Sequence, residues 1–185
     1  MIIHLIYKEI WHFYRAKVSS DLYVQNGLSW HSQVDVVAVT EVGIIVVEVK
    51  DYSGWIFGKG YQTNWCQVLK HDKFHFYNPV LQNDRHSEVL RGKLENVANV
   101  PFYSVVVFYG NCRFKDVSQI SRDTHLIYSH QLKGTIKSVI SSNPPCLYQN
   151  KEALIAYLQM CQDNGNNPNI VLQHVKNIHR EFDNN

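Results

Sequence analysis

The chain has 185 residues, 45% of them hydrophobic, which suits one folded domain with appendages and excludes a disordered chain. Its 18 basic and 16 acidic residues leave a net charge of +2, too small to require a nucleic-acid partner. The four cysteines form no C-x-x-C pair, and no apolar run is long enough to span a membrane, which argues against a zinc finger and against a membrane protein. Because no signal peptide is visible, we expect free thiols and a cytoplasmic location.

The N-terminal region begins with isoleucines at helical spacing, which predict a helix over residues 2–17. Glu9 lies beside this apolar stripe. It is either a surface residue paired with a neighbouring Lys or His, or an inward-facing acid. Residues 21–24 then predict a short strand, and Asn26-Gly27 a turn.

Two β-branched runs flank Thr40-Glu41-Val42-Gly43 and predict a β-hairpin. Three charged residues interrupt these apolar strands: Asp35, Glu48 and Lys50. Glu48 and Lys50 leave the same face of their strand, and a two-residue loop would place Asp35 opposite Glu48. Two carboxylates that close repel each other unless a cation lies between them, and a hard cation such as Mg²⁺ suits their oxygens. Lys50 adds a positive charge where an anion could bind.

Alternating segments after this hairpin predict short strands at residues 55–57, 63–69 and 73–77. Trp65 and Gln67 are two residues apart and therefore share a face of their strand. Trp55 and Trp65 are either core residues or platforms on which an unpaired base stacks.

Asn78-Pro79 predicts the start of a second helix, because Asn is a good N-cap and Pro suits the first helical position. Helical spacing aligns Gln82, His86 and Leu90 on one face. The free N–H groups of a helix start favour an anion such as a phosphate. Two simpler interpretations remain open, a core or rim histidine for His86 and a hydrogen bond to the cap for Gln82.

The second half of the chain predicts strands at residues 102–109 and 126–128 and helices at residues 131–140 and 152–161. The first of these strands is apolar throughout, which is typical of a central strand covered on both faces. From the hairpin onwards, the succession of strand, helix, strand and helix implies that the new strands add in parallel to the sheet begun by the hairpin.

A linker at residues 163–168 precedes a last helix whose apolar face contains Val171, Val175, Ile178 and Phe182. This face must pack on the core or on another subunit, so a homodimer formed through this helix is one expectation. We divide the chain into a domain at residues 1–145 and a C-terminal helical extension at residues 146–185.

Asp35, a spacer of twelve residues and Glu48-Val49-Lys50 resemble the signature of the PD-(D/E)xK nucleases. The segments 48–58, 65–67 and 76–86 make the resemblance more specific, and as an ordered set they are similar to the NERD (nuclease-related) domain. The resemblance implies an α/β fold, with a central mixed β-sheet flanked by helices and a restriction-endonuclease-like core.

The same resemblance implies a nuclease that hydrolyses phosphodiester bonds with Mg²⁺, for which Mn²⁺ would substitute, and that acts on DNA in preference to RNA. Asp35, Glu48 and the backbone carbonyl of Val49 would bind the metal, and Glu9 is the candidate for a third acidic ligand. Lys50 would orient the attacking water or stabilise charge on the phosphate, and Gln82 would position water or phosphate. The candidate nucleic-acid contacts are Trp65, Gln67, Asn83 and His86.

Two other functions fit the same residues. Residues 101–140 hold five basic and two acidic side chains, so a non-catalytic nucleic-acid-binding module could use this region together with the tryptophans. Alternatively, Asp35, Glu48 and Lys50 could form a salt-bridged trio in a folded scaffold. The two carboxylates argue against a pure binding module, because buried anions facing a phosphate weaken its binding.

Overall fold

The computed structural model describes residues 3, 6, 8, 10, 16–27 and 30–183, of which residues 178–183 are described by their backbone. Within this part of the chain the fold is α/β, with two mixed β-sheets and four α-helices. The strands are β1 (Lys17–Gln25), β2 (His31–Val39), β3 (Ile44–Asp51), β4 (Gly54–Lys59), β5 (Asn64–Leu69), β6 (Asp72–Tyr77), β7 (Phe102–Tyr109), β8 (Cys112–Ser118) and β9 (Thr124–Tyr128). The helices are α1 (Pro79–Leu94), α2 (Leu132–Ser142), α3 (Lys151–Asp163) and α4 (Pro168–Asp183).

The larger sheet has the strand order β1-β2-β3-β7-β9. Strands β1 to β3 are antiparallel, whereas β7 and β9 run parallel to β3, which confirms the predicted parallel addition. Strand β7 supplies Val105 and Val107 to one core cluster and Val106 and Phe108 to another. It is therefore a central strand covered on both faces, as its continuous apolar sequence predicts.

The hairpin of β2 and β3 has the predicted two-residue loop. Val39 pairs with Ile44, and the Thr40 amide donates to the Gly43 carbonyl at 2.9 Å. The described pairs run back to Val36 opposite Val47. These pairs end one step before Asp35 and Glu48, the two residues that the same register would bring opposite each other.

A second, smaller sheet has the order β6-β5-β4-β8, whereas the sequence predicts one sheet. The chain leaves β3 and begins β4 after two residues, with a turn at Gly54, whose φ is +80°. A Cβ there would lie 2.3 Å from the Val68 carbonyl oxygen, so the turn requires glycine. This turn separates β4 from the large sheet and starts the second one.

The sequence predicts no strand at β8, where polar and apolar residues alternate at a sheet edge. This strand pairs in parallel with β4, and only Cys112 of its seven residues is buried, so its pattern is weak. The glycines of Gly58-Lys59-Gly60 also predict a turn, and this turn begins later than predicted, at Gly60, because Gly58 and Lys59 belong to β4.

The helix predicted at residues 2–17 lies mostly outside the described residues, although Ile3, Ile6, Lys8 and Ile10 are helical. Its predicted end is wrong, because β1 begins at Lys17. Pairing with β2 extends this strand four residues before the predicted start. The serines at 19 and 20 hide it from a pattern search, since long-range pairing rather than local hydrophobicity makes them extended.

The C-terminal helices pack on the large sheet. Leu154, Leu158 and Cys161 of α3 are buried in the core cluster that also contains residues of β1 and α1. The predicted linker at residues 163–168 includes a 3₁₀ turn, whose Asn164 side chain donates to the Tyr23 carbonyl at 3.0 Å.

In helix α4, His174 and Asn177 face inward. Of the predicted apolar face, Val171 is half-buried and Val175 is 41% exposed, whereas the side chains of Ile178 and Phe182 lie outside the described residues. All four cysteines are free thiols. None of the helices in the described chain combines the length and apolarity needed to cross a bilayer.

Candidate active site

Two carboxylates lie together where β2 and β3 approach each other. Asp35 is half-buried, and its Oδ2 accepts a hydrogen bond of 2.8 Å from the Val49 amide. Glu48 is only 2% exposed, and its Oε1 lies 2.7 Å from Nζ of Lys50. Its other oxygen, Oε2, is buried without a hydrogen-bond partner. An unpaired oxygen of this kind is costly to bury, so the site has capacity for one further positive group.

Lys50 connects the strand to helix α1. Its ammonium contacts Glu48 on one side and donates to Oε1 of Gln82 at 2.9 Å on the other. The predicted proximity of Gln82 to the acidic residues is therefore present in the fold. The same contacts fix the ammonium beside both carboxylates.

Two asparagines hold helix α1 against the sheets. Asn78 caps the helix by accepting from the Val80 amide at 2.9 Å, as predicted, and its own amide donates to backbone carbonyls of the β4–β5 connection. Asn83 is fully buried and donates to the Val46 carbonyl at 3.0 Å and to Oγ of Ser104 at 2.9 Å. These bonds fix the position of the helix, so that Gln82 reaches Lys50 and His86, one turn later, lies beside Glu48.

Burial dominates the protonation chemistry of these groups. It raises the pKa of Glu48 from 4.5 to about 7, although Lys50 beside it favours the charged form. Burial also raises the pKa of Asp35, against the opposing Val49 amide and Lys50. It lowers the pKa of His86 to about 4, helped by the positive charge of Lys50. His86 is therefore neutral at pH 7, and its Nδ1, 3.5 Å from Oε2 of Glu48, forms no ion pair.

The donor set suits a hard cation in part. Two facing carboxylates, one with an unpaired buried oxygen, are the ligands that Mg²⁺ prefers. Among the residues that the structure describes, however, no group of three His, Cys, Asp or Glu side chains could hold a metal ion. Glu9, the predicted third acid, lies outside the described residues. The role of the Val49 carbonyl stays a prediction.

Comparison with known proteins identifies the family to which the chain belongs. The model of the nuclease-related domain matches residues 6–109. The chain belongs to the NERD family. It is also 30% identical to an uncharacterized protein of Bacillus anthracis over 151 residues, which cover 82% of this chain and 68% of that protein. No solved structure matches the chain significantly.

Three predicted nucleic-acid contacts of this NERD chain lie in the interior. Trp65 is 1% exposed, and its indole N–H donates to the Lys59 carbonyl at 3.1 Å. Gln67 is buried and donates to the Ser53 carbonyl at 2.8 Å. Like these two residues, the buried Asn83 already donates its hydrogen bonds within the protein, and none of the three lines the cleft beside Asp35, which argues against their prediction as nucleic-acid contacts. Packing is the role that the structure gives them.

His86 and Trp55 have different surroundings from these three residues. His86 is buried but lines the cleft that contains Asp35. Trp55 is 50% exposed, and Nζ of Lys115 lies 4.7 Å from the centre of its ring. The ring of Trp55 therefore remains accessible, outside the cleft.

The cleft that contains Asp35 and Lys50 has a volume of about 380 Å³. It contains Asp35, Lys50, Gln82 and His86, which sequence reasoning brought together. It also contains residues that sequence reasoning missed, among them Trp30, His31, Tyr77, Arg85 and Asn177. Asn177 belongs to α4, beyond the NERD match, so no motif could have placed it here. The aromatic and basic residues between the motifs were a usable but weak signal.

Proposed function

We propose that the protein is a metal-dependent nuclease that hydrolyses phosphodiester bonds, with DNA as its substrate. The observation that carries this proposal is the pair of half-buried Asp35 and buried Glu48, with the Lys50 ammonium 2.7 Å from Glu48. A structural salt bridge needs one acid for one base, whereas here Asp35 is a second carboxylate close enough that, besides burial, its charge raises the pKa of Glu48, and one buried oxygen of Glu48 has no hydrogen-bond partner. The family's nuclease-related description supports the same conclusion.

In this proposal Asp35, Glu48 and the Val49 carbonyl hold Mg²⁺, and Mn²⁺ can replace it. The bound ion supplies positive charge that polarises the phosphate and lowers the pKa of a water molecule. Glu48 is suited to this role because its oxygen Oε2 is already desolvated and unpaired. Asp35 is suited because the Val49 amide fixes its orientation.

The remaining residues act on the phosphate. Lys50 is held from two sides, by Glu48 and Gln82, so its ammonium is preorganised to stabilise negative charge that develops in the transition state. Gln82 has an amide nitrogen as well as the oxygen that Lys50 occupies, and that nitrogen can orient water or phosphate. The nearby start of α1 adds a partial positive charge.

The fold is compatible with the finer classification as a PD-(D/E)xK nuclease. The acidic hairpin of β2 and β3 continues into parallel strand β7, with helices on both faces of the sheet. We extend the proposal to that superfamily on the strength of the Asp35, Glu48 and Lys50 arrangement.

A gel assay tests this proposal. The wild type is incubated with plasmid, linear duplex, single-stranded DNA and RNA, each with Mg²⁺, with Mn²⁺ and with EDTA. We expect metal-dependent cleavage of DNA, lost in Asp35→Ala and in Glu48→Gln. Glu41→Gln, which removes an exposed carboxylate from the loop of the same hairpin, is the matched control and should cleave like the wild type. Metal-independent cleavage, or activity that survives both site variants, would refute the assignment.

A non-catalytic nucleic-acid-binding module is the second candidate. It is favoured by the observation that the described residues provide no third His, Cys, Asp or Glu ligand at the site. Such a module would bind DNA in EDTA as tightly as in Mg²⁺ and would cleave none of the four substrates. The same gel, followed by a binding measurement in both buffers, separates the two functions.

A further inference from the structure

One part of the cleft is lined by residues to which the proposed hydrolysis assigns no role. Beyond Lys50 and Gln82 it is lined by Trp30 and His31, which precede and begin β2, and by Asn177 of α4. We call these three residues the α4 subsite. None of them contacts the carboxylates through a hydrogen bond or ion pair that the structure describes, so the proposed hydrolysis leaves them unexplained.

Several contacts hold α4 in place as a wall of this cleft. Nδ1 of His174 donates to the His31 carbonyl at 2.8 Å, and its ring meets Tyr23 edge to face with centroids 5.5 Å apart. The preceding turn is tied to the same strand, because the Asn164 side chain donates to the Tyr23 carbonyl. Asn177 lies three residues after His174, on the same face of the helix, and therefore also points towards the cleft side.

The α4 subsite combines unpaired polar atoms with an accessible aromatic ring. Asn177 is 8% exposed, and its Nδ2 has no hydrogen-bond partner. Nδ1 of His31 is likewise buried without a partner, and burial lowers the pKa of this ring. Burying an amide without a hydrogen-bond partner is costly, so a ligand that supplies the missing partners would be favoured here. Trp30 beside them is 43% exposed.

A nucleobase matches this combination. Its ring can stack on an indole, and its edge carries donors and acceptors that suit an amide and an imidazole. The base must be unpaired to use these groups, because pairing occupies that edge and a duplex cannot insert one base into an enclosed pocket without flipping it. Arg85, whose guanidinium lies 5.8 Å from the centre of the Tyr77 ring on the same cleft, provides positive charge for the adjoining backbone.

We propose that the α4 subsite binds an unpaired base of the DNA strand next to the scissile phosphate, so that the enzyme prefers single-stranded DNA to blunt duplex. This inference rests on the proposed nuclease function, which it deepens by naming the substrate class. It gives the C-terminal helix, outside the NERD match, a direct role in substrate selection.

The test compares single-stranded DNA and blunt duplex of the same sequence. Cleavage efficiency, kcat/KM, is measured in Mg²⁺, and binding of fluorescently labelled strands is measured in EDTA. The variants are Trp30→Ala and Asn177→Leu, which keeps the size of the side chain but not its hydrogen bonds. Trp55→Ala is the matched control, because it removes an equally exposed indole outside the cleft.

We expect the wild type to cleave and bind single strands at least about tenfold better than duplex. Loss of one stacked base weakens binding on the order of tenfold, so Trp30→Ala and Asn177→Leu should each reduce this preference severalfold or more. Trp55→Ala should leave the ratio of single-strand to duplex cleavage unchanged. Melting curves check that each variant is folded, and Trp30→Ala alone decides the question if Asn177→Leu does not fold.

A wild type that prefers duplex, or folded Trp30→Ala that keeps the wild-type ratio, would overturn the subsite. The proposed hydrolysis fails differently. If no substrate is cleaved, the nuclease assignment is wrong, but the binding arm in EDTA still supports or refutes the subsite by the same comparison of variants.

Discussion

The burial of Glu48 predicts an unusual dependence of stability on pH in the metal-free protein. Its pKa is raised from 4.5 to about 7 by burial, so the folded state binds this proton more tightly than the unfolded chain does. The stabilising contribution of the bound proton is complete below pH 4.5 and is lost as the pH rises to about 7. Glu48→Gln carries no titrating group there, and its amide oxygen can still accept from Lys50. The variant should therefore become more stable than the wild type as the pH rises.

The magnitude follows from the two pKa values. Each pKa unit corresponds to about 1.36 kcal/mol, and linkage over the interval from pH 5 to pH 8 is on the order of 2–3 kcal/mol for this shift. The free energy of unfolding of Glu48→Gln, relative to the wild type, should increase by roughly that amount between the two pH values. Other titrating groups are common to both proteins and cancel to first order.

Urea denaturation in EDTA at pH 5 and at pH 8 measures this difference. Glu41→Gln, on the exposed loop of the same hairpin, should change stability by no more than about 0.5 kcal/mol at either pH. Adding Mg²⁺ to 100 times its Kd at pH 8 should stabilise the wild type by about 2.7 kcal/mol, and should stabilise Glu48→Gln much less. An identical difference between the two proteins at both pH values would refute the reasoning about burial. Equal stabilisation of both proteins by Mg²⁺ would refute the metal assignment.

Three further predictions separate catalysis from folding. Lys50→Ala should lower turnover by roughly a hundredfold and leave stabilisation by Mg²⁺ nearly intact. Lys50→Arg should restore little activity, because a planar guanidinium cannot occupy the same position. Wild-type turnover in Lys50→Ala would favour the interpretation of Asp35, Glu48 and Lys50 as a structural salt-bridged trio. Leu90→Ala should cost about 2–5 kcal/mol of stability, with little change in the activity of folded molecules. Gln82→Ala should instead lower activity at least about tenfold and shift Tm by only a few degrees. Cleavage at the wild-type rate by Gln82→Ala would show that this residue has a structural role. Gly58→Ala should destabilise the fold, since an added Cβ would lie 2.3 Å from a buried tryptophan ring. Gly92→Ala, in helix α1 with open space around it, should stabilise the protein by up to about 1 kcal/mol. Equal melting temperatures of the two variants would contradict this packing.

The candidate site was largely predictable because it depends on local geometry. A strand alternates its side chains and a tight turn sets the register of a hairpin, so Asp35, Glu48 and Lys50 could be placed together from spacing alone. The same holds for the start of α1, where Asn78-Pro79 is a local signal and Gln82 follows by one helical turn. Leu90 and Leu94 are buried on the predicted face for the same reason.

Prediction failed where neighbours distant in sequence decide the outcome. Trp65 and Gln67 share a strand face, as their spacing requires, but only the packing of the small sheet shows that this face is interior. Asparagine is usually found at the surface, yet the amide of Asn83 donates to the Val46 carbonyl and to the Ser104 hydroxyl, which gives it partners inside the protein. Strand β8 is extended because β4 pairs with it, not because its own residues favour a strand.

The amino-acid sequence by itself determined the acidic hairpin, the helix that brings Gln82 and His86 to it, and the central apolar strand β7, because hydrophobic periodicity and turn chemistry act over a few residues. Only the tertiary structure decided that the strands divide into two sheets and that α4 turns His174 and Asn177 rather than Val175 towards the cleft. Such choices depend on which surfaces of distant segments fit together, and the free energy of that fit is not carried by any local pattern.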